Sequence, residues 1–192
     1  MSTDVEVLPG SPADSPRPQP AREPSIAVIG DALECLTALR SAPEAQSFGP
    51  GHAAWGGSRA VIIGVDIRGL RTSRQVRAAL RNTEDECASL CGRLRRLKHI
   101  ILVLNGSLVA EDTVLRISDG TVRRIHTRLE QAYARSVVIT AVLAEHCDDR
   151  ELLTTRLIAR VRERESLDAG IALLWKEIAH TSISVASMND YL

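Results

Sequence analysis

Aromatic side chains make up only 3% of this 192-residue chain, with two Trp, two Tyr and one Phe, so any core must be filled by aliphatic residues. Net charge is also lacking: 24 Lys and Arg balance 24 Asp and Glu. A neutral chain offers no global attraction to nucleic acid or to an acidic membrane. No apolar run approaches the ~20 residues that span a bilayer, and the N-terminus has no basic-then-apolar signal. Cys35, Cys87, Cys91 and Cys147 form no C-x-x-C pair, which predicts reduced thiols and a cytoplasmic protein. Cys87 and Cys91 stand one helical turn apart, yet with His99 they are too few to ligate zinc.

What is present is enough for one ordinary domain and a small second one, with 44% hydrophobic residues. Met1 to Pro24 hold six of the eight prolines, with little to bury, and are expected to be a disordered leader. SIAVIG, Ser25 to Gly30, reads as a buried strand, followed by helix from about Ala32 to Ser41. Pro43 to Ser58 reads as loop, with Trp55 a packing anchor. Arg59 to Ile67 gives a second strand. Thr72 and Gln75 form a capping box, and Val76, Leu80, Thr83, Cys87, Leu90, Leu94 and Leu97 recur at four-three spacing along one long helix. His99 to Leu104 is the next strand.

Strands alternating with helices imply a parallel sheet with right-handed crossovers. The carboxyl ends of its strands would bring Asp31, Asp66 and Asn105 to one edge. Two carboxylates and an amide there could hold a hard cation such as Mg²⁺, or the acids could simply cap the helices that follow. Arg68 to Lys98 carry nine basic residues against three acidic ones, read as a solvated face.

At the C-terminus, Leu167, Ile171, Leu174 and Ile178 stand at helical spacing, predicting a helix that ends near Ala179. His180 to Ser182 form a turn. Ser184 would cap a second helix whose Val185, Met188 and Leu192 face inward. Two helices joined so closely form a corner of the kind that enters a DNA major groove, or a hairpin that only closes a core.

RERESL, a glycine, KEIA, IS and ASM resemble the LuxR/NarL-type helix-turn-helix, with one residue missing before KEIA, another before Ile183, and the family's last helix absent. Upstream, SIAVIGDALECLTALRSA, VDIRGL and HIILVLNGS followed by AEDTVLRISDG resemble the receiver domain of response regulators, and ELLTTRLIARV resembles their linker helix. This resemblance implies an atypical response regulator of that family. It implies a leader over 1–24, a flavodoxin-like α/β receiver over 25–146, a linker helix over 147–161 and a truncated all-α helix-turn-helix over 162–192. It places the fifth strand at about Thr121 to His126 and the last receiver helix over Leu129 to Glu145, although SVVITAVLA taken alone has the β-branched density of a strand.

The resemblance also assigns roles. Asp66 matches the phosphoacceptor, Asp31 the one acid left of a Mg²⁺-binding pair, and Asn105 the switch residue. The family's lysine has no match, with Thr127 and Arg128 nearest, so ordinary phosphorylation is not expected. Lys176, Ser184, Ser187 and Asn189 are the candidate DNA contacts in a homodimer or a heterodimer with a related regulator. Val161 to Leu192 hold three basic residues against five acidic ones, which weakens DNA affinity. Three functions follow: a DNA-binding transcription regulator, a partner of another regulator without DNA affinity, or an α/β enzyme using Asp31 and Asp66. No nucleophile and base pair or phosphate-cradling loop supports the last.

Overall fold

The computed structural model describes residues 25–48, 57–163 and 170–189, with the side chain of Asn189 left out. The leader, Trp55, residues 164–169 and residues 190–192 lie outside the described residues, and so do the expectations that fall on them.

Apolar β-branched runs become strands wherever both faces are covered. β1 (Ile26–Gly30), β2 (Ala45–Ser47), β3 (Ala60–Asp66), β4 (His99–Asn105), β5 (Val138–Leu143) and β6 (Ile171–Leu174) form one sheet in the order β2-β1-β3-β4-β5-β6. Every pairing is parallel. The first five strands follow the flavodoxin-like order, and the architecture is α/β with helices on both faces. Alternate strand residues face opposite cores, Ile63 and Leu102 on one side, Ile62 and Ile101 on the other.

On the first face lie two long helices, α2 (Ser73–Arg93) and α3 (Glu111–Tyr133). The Thr72–Gln75 capping box is present, and Val76, Leu80, Thr83, Cys87 and Leu90 form the buried stripe of α2. At its far end Arg135 donates to the carbonyls of Cys91, Leu94, Arg95 and Leu97 at 2.5–3.2 Å. One guanidinium thus ties an open carbonyl of the last turn of α2 to the carbonyls of the segment that leads into β4. On the second face lie α1 (Thr37–Arg40), preceded by a 3-10 turn at Glu34–Leu36, then α4 (Arg150–Arg162), α5 (Trp175–Ala179) and α6 (Ile183–Asn189).

Several expectations are corrected. β2 lies inside the segment read as loop, because AQS is a short, partly exposed edge strand without an apolar pattern. Thr121 to His126 belong to α3, and Val138–Leu143 are strand rather than helix. All six residues of β5 are buried, each face against its own core, which is what their β-branched density serves. The helix expected to reach Ala179 is strand over Ile171–Leu174, paired to Thr140–Leu143 of β5. Gly170, just before it, has φ +101°, outside the helical range. Ile171 and Leu173 enter one core, Ala172 and Leu174 the other, so period two wins over period 3.6.

The crossovers are not of one hand. β3-α2-β4 and β5-α4-β6 run in the same direction across the sheet, yet α2 and α4 cover opposite faces. With α2 and α3 already over the first face, Leu153, Leu157 and Val161 of α4 find their apolar partners on the second.

Candidate functional site

Strand order reverses between β1 and β3, and at such a point the chain leaves each strand in opposite directions and opens a crevice at the carboxyl edge. Asp31, Asp66 and Asn105 do converge there, with Asp66 in register opposite Asn105. The two acids, however, are not left facing solvent as a pair. The Asp31 carboxylate accepts the backbone N–H of Asp66 at 2.7 Å. Both carboxylate oxygens of Asp66 accept from Arg68: Nε at 3.0 and 3.1 Å, Nη2 at 2.6 Å, with the Arg68 N–H adding a bond at 3.0 Å.

Arg68 reaches this position because the next strand end makes room. A Cβ on Gly106 would stand 2.5 Å from Arg68 Cγ, and Gly106 has φ +68°, so the β4 exit must be glycine for the arginine stem to lie across it. The fork geometry is the strong bidentate kind. It holds the Asp66 carboxyl below the ordinary aspartate range, through the side-chain hydrogen bond first and the backbone hydrogen bond second. Ser107 next to it accepts the Val109 N–H at 2.9 Å and closes the turn into α3.

This donor set does not fit Mg²⁺. A hard cation needs several free oxygens at short range, whereas the Asp66 oxygens are taken by a guanidinium that would repel it. Among the described residues no three His, Cys, Asp or Glu side chains are grouped to hold a metal. Thr127 and Arg128, nearest in sequence to the lysine position, sit within α3, where Arg128 pairs with Asp85 at 2.9 Å.

The candidate DNA contacts are dispersed. Lys176 donates to Glu111 at 2.8 Å. The cap of α6 is Ser182, whose hydroxyl accepts from Val185 N–H at 3.2 Å, rather than Ser184. Ser184 is the second residue of α6 and bonds the Glu163 carboxylate and Arg160 Nη1, the latter at 2.9 Å. The Arg160 side chain is fully buried and pairs with Glu163 at 2.9 Å. Ser187 is buried and donates to the Ile183 carbonyl at 2.8 Å. The inner face of α6 is therefore Ile183, Ala186 and Ser187, while Val185 and Met188, expected inward, are 48% and 67% exposed. An earlier cap turns the helix so that i, i+3 and i+4 from Ile183 meet the core. The Asn189 side chain lies outside the described residues.

Sequence reasoning passed over Arg68, although it stands two residues from Asp66 inside VDIRGL. It also passed over Arg160, whose burial no local pattern announces. Comparison of the chain with family models, with curated proteins and with solved structures gives no match. Among the described residues no helix is long and apolar enough to cross a membrane.

Proposed function

We propose that this chain is a receiver-like regulatory module that acts by pairing with another receiver-like polypeptide, its own copy included, and without phosphoryl transfer. The Arg68–Asp66 fork carries the proposal. A phosphoacceptor carboxylate needs a free lone pair and a cation beside it to offset the incoming charge. Here the Asp66 lone pairs are occupied and the cation is a tethered side chain, so the charge of Asp66 is offset without a signal, while Asp31 keeps its own. The same economy of free groups disfavours direct DNA readout, since Ser184 and Ser187 are engaged inside the fold and Lys176 is paired with Glu111.

The test is acetyl-phosphate treatment in Mg²⁺ followed by intact-mass measurement, with sedimentation and a low-salt gel shift on the same protein. Unmodified protein, self-association at micromolar concentration and no duplex binding are the expected results. Stoichiometric phosphate that disappears in Asp66→Asn would overturn the proposal, as would a strictly monomeric chain that binds duplex DNA.

A further inference from the structure

Between α2 and α3, on the face away from α4 and α6, lies a cavity of ≈ 500 Å³. That is within the range of small-molecule sites. Its walls carry Arg77 and Arg81 from α2, one turn apart, and Arg116 and Arg124 from α3, with Thr113 and Gly120 between them. The four arginines are exposed along one cavity in a chain of zero net charge, so they concentrate positive charge locally and make it attractive to an anion.

The protein supplies only part of that. Arg124 donates to Glu84 at 2.9 Å, and Glu84 is shared with Arg128 at 3.5 Å. Arg116 is oriented by the Asp112 carbonyl and the Thr113 hydroxyl at 3.3 and 3.4 Å. Arg77 and Arg81 make no hydrogen bond or ion pair among the described residues. Two of the cations are thus positioned, but only Arg124 has a carboxylate partner among the described residues. Gly120 adds an independent sign. It is exposed in the middle of α3, where glycine is a worse helix former than alanine, and a Cβ there would meet nothing within 4 Å. Neither packing nor backbone conformation asks for glycine, but its missing side chain keeps the cavity open between Arg116 and Arg124.

We infer that this groove binds a small polyphosphorylated ligand, held by bidentate guanidinium to phosphate contacts. Independent of the carboxyl-edge reading, it gives the module a site for a soluble effector. A nucleic acid strand fits less well. Glu84 lies one turn beyond Arg81 and Asp112 one turn before Arg116, so acidic groups bound the basic track at both ends. No aromatic residue lines the cavity to stack a base.

Inorganic tripolyphosphate titrated calorimetrically into the full chain at physiological ionic strength tests the assignment. One saturable site is expected. The Arg77→Gln/Arg81→Gln double variant should weaken it about tenfold or more, and Arg95→Gln/Arg96→Gln, at exposed positions after α2, should leave it unchanged. Gly120→Ala should raise thermal stability yet weaken binding, a pairing that a loss of folding cannot produce. Absence of a saturable site overturns the inference. So does equal weakening in both double variants, or displacement of tripolyphosphate by a single-stranded oligonucleotide at equal phosphate concentration.

Discussion

Gly170→Ala separates a strand from a helix at the C-terminus by the sign of its effect. In a helix running from Leu167 to Ala179 the glycine would sit in the interior, and alanine would stabilise by about 0.8–1 kcal/mol. In the structure Gly170 has φ +101°, and a Cβ would lie 2.9 Å from the carbonyl carbon and oxygen of Val122 and 3.0 Å from the Arg123 nitrogen. The backbone conformation alone costs an L-residue about 1–3 kcal/mol. Pushing the α3 backbone away adds overpacking of about 1–3 kcal/mol. The sum, about 2–6 kcal/mol of destabilisation, lowers the melting temperature by roughly 4–24 °C in a chain of this size. Urea unfolding followed by far-ultraviolet circular dichroism reads it as a lower midpoint at unchanged slope. Gly120→Ala is the internal control, because the same substitution in open helix should stabilise by up to about 1 kcal/mol. A midpoint that rises or stays put in Gly170→Ala would refute the placement of β6 against β5 and α3.

Two further outcomes are expected. Thr72→Ala removes the hydroxyl that accepts the Gln75 N–H at 3.3 Å and should cost about 1 kcal/mol in urea unfolding, with Gln75→Ala costing less. His99 is buried, and desolvation first, with the nearby Arg160 charge second, lowers its pKa. The unfolded chain therefore binds the proton more readily, so this contribution to stability is intact above the ordinary histidine value of about 6.5 and is lost as pH falls below it. His99→Leu should flatten the loss of stability between about pH 7.5 and 5.5, and an unchanged slope would show that another group titrates.

The strand ends at Asp31 and Asp66, the strand at His99, and the long helix after Thr72 were legible because their signals are local. A run of β-branched residues, a four-three stripe and a capping box each specify hydrogen bonds made within a few residues. Val138–Leu143 were legible too: their β-branched density is a strand signal, and only the family resemblance turned them into helix. Ile171–Leu174 were not, since IALLWKEI satisfies both a helical stripe and a buried strand. Pairing with Thr140–Leu143, the two cores that take alternate side chains, and the positive φ of Gly170 make the choice.

The site divides in the same way. Sequence alone brought Asp31, Asp66 and Asn105 to one edge, because parallel strands must end together. That Asp66 is closed by Arg68 depends on the empty space at Gly106, contributed by a strand some forty residues away. The orientation of Ser184 and Ser187 depends on Arg160 and on the turn capped by Ser182, and the arginine groove exists only once α2 and α3 lie side by side. Chain periodicity fixes which face of an element is apolar; which charged group lies opposite another is set by packing between elements distant in sequence, and no local preference encodes it.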